Sequence, residues 1–179
     1  METRPEPVST LGEPPLVQCR PPETGDAMRM HALVDACASL DLNSPYAYLL
    51  LCTHFRDTCV VAEREGTLVG FLAGYRPPDA CDTLFVWQVA VANTARGLGL
   101  GSRLLDAVLA QPACRDVSYV EASITPSNAA SWALFRALAR RRGAACHTRP
   151  LFTRQDFGAL AHEEEQLLRI GPFDTGRQG

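Results

Sequence analysis

From Thr83 to Val91 the chain reads Thr-Leu-Phe-Val-Trp-Gln-Val-Ala-Val, apolar at odd and even positions alike, the pattern of a central strand covered on both faces. Upstream, a short strand is predicted over 16–20, and Met30, Leu33, Val34 and Cys37 then follow the i, i+3, i+4, i+7 rule of an amphipathic helix. Ser44 and Pro45 suit the N-cap and first position of a second helix, on which Tyr46, Leu49 and Leu50 share a face. β-rich runs at 58–64 and 67–76 meet at Glu65-Gly66, a hairpin signal. Downstream, Leu104, Leu105, Val108 and Leu109 mark a helix that stops near Gln111-Pro112, and a strand follows over 117–125. Pro126-Ser127-Asn128 introduces a helix with Trp132, Phe135, Leu138 and Ala139 inward, closed by Gly143. Strands over 144–149 and 163–170 complete the order β-α-α-β-β-β-α-β-α-β-β, an α/β domain.

Composition narrows the class. With 179 residues, 46% of them hydrophobic, the chain suits one domain with a substantial core. Residues 1–15, with four prolines and little apolar content, read as a disordered leader; the folded unit runs over 16–173 and a disordered tail over 174–179. A net charge of −3 and a pI near 5.8 argue against a nucleic-acid partner. The triplet Arg140-Arg141-Arg142 falls at a predicted helix end, where cations complement the dipole. Seven cysteines form no C-x-x-C pair, and the four histidines have no metal-ligand spacing, so neither a disulfide framework nor a metal is expected. No run of 18 apolar residues reaches membrane length, which makes the cytoplasm the expected compartment and excludes a membrane partner.

The candidate chemistry begins at Arg96-Gly97-Leu98-Gly99-Leu100-Gly101, between the apolar strand and the next helix. Glycines there let backbone amides converge on a phosphate at a helix N-terminus. The G-x-G-x-G spacing fits neither a dinucleotide fingerprint nor a P-loop, and an ordinary strand-to-helix turn is the alternative.

Arg96, Gly99 and Gly101 match R/Q-x-x-G-x-G/A, and the loop thereby resembles the pyrophosphate cradle of the GNAT acyltransferases. Longer stretches narrow the likeness: 40–52, 82–89, Ile124-Thr125-Pro126-Ser127-Asn128, and Arg169-Ile170-Gly171-Pro172-Phe173 are similar to the L-2,4-diaminobutyrate acetyltransferases of ectoine biosynthesis. The resemblance covers nearly all of 16–173. It implies the GNAT fold, a central mixed, mostly antiparallel sheet flanked by helices in a single domain. It also implies acetyl transfer from acetyl-CoA to the γ-amine of L-2,4-diaminobutyrate, and a homodimer. A GNAT enzyme of another small diamine or amino acid, and a non-catalytic acetyl-CoA-binding regulator, are the competing readings.

By that resemblance, amides of Val89 and Val91 hold the pantetheine arm and polarise the thioester. Arg96, Gly97, Leu98, Gly99, Gly101 and Ser102 hold the pyrophosphate, and Asn128 contacts the cofactor arm or caps its helix. The acceptor carries two ammonium groups and one carboxylate, so its pocket needs anionic groups for the cations and donors for the carboxylate. Asp41 is the leading amine-binding carboxylate, with Tyr46 and Tyr48 close to it in sequence and Thr125 as a further substrate contact; a turn cap at Asp41 with packed tyrosines is the alternative. Trp87, two residues before Val89 and so on the same face in alternation, floors the pocket. Glu163 and Glu165, alternating onto one face of the last strand beside His162, supply an ammonium partner or a proton acceptor. Asp41, Trp87 and Glu163 are the expected catalytic set. Many GNAT enzymes have a Leu-Tyr pair whose tyrosine protonates the leaving thiolate; this chain has Leu134-Phe135. Either Tyr46 or Tyr48 serves instead, or CoA leaves as a thiolate, with direct attack and no acyl-enzyme on Cys52 or Cys59.

Overall fold

A computed structural model describes residues 16–37 and 40–173; the leader and tail expected from the sequence lie outside the described residues. The elements are β1 (Gln18–Arg20), α1 (Ala27–Asp35), α2 (Pro45–Thr53), β2 (Val60–Arg64), β3 (Thr67–Tyr75), β4 (Thr83–Val91), α3 (Leu100–Leu109), β5 (Tyr119–Ile124), α4 (Ala129–Arg142), β6 (Cys146–Phe152) and β7 (Glu165–Ile170). This is the expected order of elements. The last strand starts two residues later than expected, which leaves Glu163 in the preceding loop.

Local chemistry explains the boundaries. The Ser44 side chain accepts the Ala47 amide ahead of Pro45, and Asn128 accepts the Ser131 amide, so α2 and α4 both start on side-chain caps. Glu65 and Gly66 turn the β2–β3 hairpin with φ of 52° and 75°, the paired positive values of a two-residue turn whose twist matches the strands.

The strands form one sheet in the order β1-β2-β3-β4-β5-β7-β6, antiparallel throughout except between β4 and β5. Alternating residues of β2 and β3 enter two apolar layers. Val60, Ala62 and Leu72 pack with Leu104, Leu105 and Val108 of α3 and with Phe135 and Leu138 of α4. Val61, Phe71 and Ala73 pack with Met30 and Val34 of α1 and with Tyr48 and Leu51 of α2. The second layer takes nothing from β5, β6 or β7, so that half of the sheet is bare of helix on the α1–α2 side.

Two irregularities in β4 shape the molecule. Ala73 pairs with Gln88 but Gly74 pairs with Val86, so Trp87 is an extra residue in β4, a bulge. Gly74 permits it, since a Cβ there would meet the Phe85 carbonyl oxygen at 2.8 Å. The parallel pairing of β4 with β5 also ends at Val86 and Ala122, and from Trp87 onward the two strands part.

A charged knot ties β1, α1 and β2. Asp26, nearly fully buried, accepts two hydrogen bonds from Arg20 (2.6 and 3.0 Å), one from Arg29 (2.9 Å) and one from the Glu23 amide (2.8 Å), while Glu63 pairs with both arginines. Burial pushes the Asp26 carboxyl upward, yet Arg20, the Glu23 amide and Arg29 together hold it below its ordinary value. A lowered carboxylate contributes stability that is complete above its unfolded pKa of about 3.9 and disappears as pH falls through the lower folded value. Asp26→Asn is expected to cost about 2 kcal/mol at neutral pH, less than for a fully buried pair because both arginines reach water. Thermal melts from pH 7 to pH 3 check this: wild type should lose its advantage over the variant only in the acid range.

Candidate active site

Where β4 leaves β5, a cavity of about 830 Å³ opens, lined by Glu121, Ser123 and Glu165 on the helix-free face and reaching Ser131 and Phe135 of α4 through the gap. The direction of the β4 amides follows from one bond: the Ala92 amide donates to the Val69 carbonyl of β3 at 2.9 Å. Alternation then points the amides of Val89 and Val91 away from β3, into the gap left by β5. These donors face a space with no strand to receive them, the arrangement that can hold an extended ligand as a strand is held. Trp87 lies at the head of this run, 43% exposed, and lines the cavity together with Val89, Thr125 and Asn128. Trp87 and Val89 both line the cavity, but the bulge means that simple alternation does not set the face of Trp87. Past it, Ala90 enters the α1–α2 layer and Val89 packs on the α3–α4 layer.

The acidic side of the cavity is built by three separate segments. Asp41 precedes α2, and its carbonyl accepts the Gln88 side-chain amide at 3.0 Å, while Gln88 Oε1 accepts the Tyr48 hydroxyl at 3.2 Å. Tyr48 is thus a wholly buried tether of the Asp41 segment and does not reach the cavity; Tyr46 is 67% exposed and does not line it either. The structure places Tyr48 in the core and not on the acceptor wall expected for it. On β7, Glu165 accepts the Ser123 hydroxyl at 2.5 Å and faces the cavity. Glu163, outside the strand and therefore not in alternation with Glu165, accepts the Ser127 hydroxyl at 2.5 Å and the Ser127 amide at 3.4 Å, which fixes the turn into α4.

His162 joins these groups. Its Nε2 lies 3.4 Å from Asp41 Oδ2 and 3.9 Å from Glu165 Oε1, its Nδ1 is 2.7 Å from the Glu163 carbonyl, and its ring stacks on Phe157 with centroids 4.0 Å apart. The carbonyl can only accept, so Nδ1 carries the proton; a second proton on Nε2 meets carboxylates. The Glu163 carbonyl, against the opposing effect of burial, and then Asp41 and Glu165 hold the imidazole above its ordinary pKa. In sequence His162 is only a neighbour of the two glutamates, since a lone histidine in a loop 121 residues from Asp41 carries no local signal.

The glycine loop lies beyond the cavity lining, at the far end of β4. Gly97 and Gly99 have φ of 75° and 71° and open space where a Cβ would stand. The first bond of α3 runs from the Arg103 amide to the Gly99 carbonyl, 3.2 Å, so the amides of Leu100, Gly101 and Ser102 have no carbonyl one turn back. Gly101 owes its lack of side chain to packing: a Cβ would lie 3.2 Å from Leu134 of α4. Leu98 is exposed, Arg96 is exposed with Nη2 3.9 Å from Cys37 Sγ, and the Ser102 hydroxyl accepts Arg141 at 3.1 Å. Among the described residues no group of three or more His, Cys, Asp or Glu could hold a metal ion.

The acetyltransferase (GNAT) family profile matches residues 28–139. The chain is 51% identical over 156 residues to the L-2,4-diaminobutyric acid acetyltransferase of Chromohalobacter salexigens, covering 87% of this chain and 81% of that one, and 49% identical over 157 residues to that of Halomonas elongata, with the same coverages. A solved structure of the diaminobutyrate acetyltransferase of Paenibacillus lautus, in complex with L-2,4-diaminobutyric acid and coenzyme A, superimposes with a TM-score of 0.87 at 41% identity, covering 90% of this chain and 98% of that one.

If Asp41 helps hold the proton on His162, Asp41→Asn should lower the midpoint of the His162 titration, followed by the ring proton and nitrogen resonances between pH 5 and pH 8. An unchanged midpoint would leave the Glu163 carbonyl as the main cause.

Proposed function

The chain belongs to the acetyltransferase (GNAT) family and, within it, to the L-2,4-diaminobutyric acid acetyltransferases, and on that premise we propose how its cavity works. Acetyl passes from acetyl-CoA to the γ-amine of L-2,4-diaminobutyrate, giving N-γ-acetyl-diaminobutyrate for ectoine synthesis. The observation that carries this reading is the run from Trp87 to Val91, its outward amides unpaired by β5 and its cavity bounded by Asp41, His162 and Glu165.

Coenzyme A lies along the gap. The amides of residues 97–102 take its pyrophosphate, Arg96 adds charge, Asn128 meets the pantetheine arm, and the Val89 and Val91 amides hold the arm and polarise the thioester carbonyl as its oxygen gains charge. The acceptor amine enters between Asp41 and Glu165, with Trp87 and Thr125 as walls. An alkylammonium is overwhelmingly protonated at neutral pH, so a proton must leave before attack. Glu165 takes it, directly or through one water, because Ser123 holds only one of its carboxylate oxygens, whereas Ser127 holds both oxygens of Glu163. The amine nitrogen then bonds to the acetyl carbon, the carbon–sulfur bond breaks, and CoA departs as its thiolate. Phe135 lines the cavity where a proton-donating tyrosine stands in many relatives, and neither Tyr46 nor Tyr48 is placed to substitute.

Direct attack also follows from the cysteines. None of them lines the cavity, and burial pushes the thiols of Cys52 and Cys59 up to about 11 and about 12, far from a thiolate at neutral pH.

We further infer a homodimer joined through β6, an edge strand whose residues are mostly exposed, including Phe152. The cytoplasm is the compartment we assign: seven free thiols suit a reducing environment, and no described helix is long and apolar enough to cross a membrane. The net charge of −3 offers no field for nucleic acid.

Thiol release from acetyl-CoA, measured with diaminobutyrate, ornithine and lysine, tests the assignment. Diaminobutyrate should be preferred; preference for a longer diamine, or no release with any amine, overturns it. Glu165→Gln should lower kcat by about 10²–10⁴-fold while acetyl-CoA binding by calorimetry is unchanged. Wild-type turnover in that variant would remove Glu165 as the proton acceptor.

A further inference from the structure

The proposed reaction assigns partners to the acceptor's amines and none to its carboxylate. Four carboxylates line the cavity: Asp41, Glu121, Glu163 and Glu165. Among the described residues a single lysine or arginine joins them, Arg149 of β6. The other arginine on this part of the sheet is already committed: Arg169 pairs with Glu121 at 2.5 Å and stacks 3.8 Å over the Tyr119 ring. Arg149 forms no ion pair among the described residues, and its one hydrogen bond is to the carbonyl of its neighbour Pro150, at the long distance of 3.5 Å.

Register places this cation relative to the base. Arg149 is opposite Leu167, and Phe152 is opposite Glu165, with Leu151 as an extra residue between. Leu167 in turn is opposite Ser123, so Arg149, Leu167, Ser123 and Glu165 share the cavity face of the sheet. Arg149 and Glu165 are diagonal neighbours on adjacent strands, a spacing of about 7–8 Å between backbones, which a long arginine side chain adjusts. The acceptor's carboxyl carbon and γ-nitrogen are four bonds apart, roughly 5 Å when extended. A planar guanidinium binds a carboxylate through two parallel hydrogen bonds, which fixes orientation as well as position.

We propose that Arg149 is a specificity-determining residue that binds the acceptor's carboxylate and thereby points the γ-amine, rather than the α-amine, at Glu165 and the thioester. This rests on the assignment of diaminobutyrate as acceptor. An α-amine lies one bond from the carbon that bears the carboxylate, so a carboxylate held by Arg149 keeps that amine back on β6's side. The γ-amine, two carbons further, reaches the gap.

The test compares diaminobutyrate with 1,3-diaminopropane, the same diamine with hydrogen in place of the carboxylate, in wild type, Arg149→Gln and Arg149→Lys. Wild type should favour diaminobutyrate. Arg149→Gln should raise its KM by about 10²-fold while changing kcat/KM for diaminopropane less than about twofold, and Arg149→Lys should recover part of the loss. Product NMR should also detect α-acetylated product from Arg149→Gln. Equal losses on both amines would make Arg149 structural, and no loss on either would make it a solvated edge residue; each overturns the proposal. Failure of wild type to acetylate diaminobutyrate would instead overturn the acceptor assignment, and this proposal with it.

Discussion

The parting of β4 from β5 is the constraint on which the site depends. Parallel strands normally satisfy each other's backbone groups along their length, and unpaired buried amides are costly. Here pairing stops at Val86 and Ala122 although both strands continue, β4 to Val91 and β5 to Ile124. The bulge at Trp87, made possible by the bare backbone of Gly74, bends β4 at the same place. The result is a strand edge in the middle of a sheet, open on one side to a cavity and rigid on the other through its antiparallel bond ladder with β3. A thioester carried on an extended amide-bearing arm is suited to such an edge, and the glycine loop at the end of the same strand offers amides for its phosphates.

Charge is distributed unevenly around this gap, and the unevenness has a structural source. Helices α1 and α2 cover only the β2–β3–β4 half of the sheet on that side, so polar residues of β5, β6 and β7 face the cavity where an apolar layer would otherwise bury them. Ser123 and Ser127 hold Glu165 and Glu163 by neutral hydrogen bonds, which orient the carboxylates and leave their charge available, unlike Glu121, which Arg169 neutralises. Asp41 is positioned by its backbone: a buried chain from Tyr48 through Gln88 holds its carbonyl, and its carboxylate, 89% exposed, stays at the cavity mouth beside His162. The mouth of the cavity therefore carries negative charge, and an entrance of that sign concentrates cations.

Local sequence determined the elements and their order. Apolar spacing of 3.6 marked α3 through Leu104, Leu105, Val108 and Leu109, all buried, and the caps Ser44 and Asn128 act as their residue types require. The run Thr83–Val91 was legible as a central strand, and Glu65-Gly66 as a hairpin turn, because turn and strand preferences reside in a few adjacent residues. Glycine spacing alone made the loop at 96–101 a candidate phosphate cradle, and family likeness added Asp41, Trp87 and the two glutamates as candidates.

Tertiary structure decided what depends on strand pairing. No local signal distinguishes a regular β4 from one with Trp87 as an extra residue, because a bulge is defined by its partner strand. The start of β7 was equally a matter of pairing, Glu165 with Phe152 and Gln166 with Pro150 and Ile124, and it divided two glutamates that looked equivalent in sequence. Tyr48 looked like a wall residue until burial against Phe71 and its bond to Gln88 placed it in the core. His162 and Arg149 became visible only when the β6–β7 half of the sheet was folded against the gap. Hydrophobic period and capping are properties of residues a few positions apart, whereas a cavity is made by residues more than a hundred positions apart, and only folding brings those together.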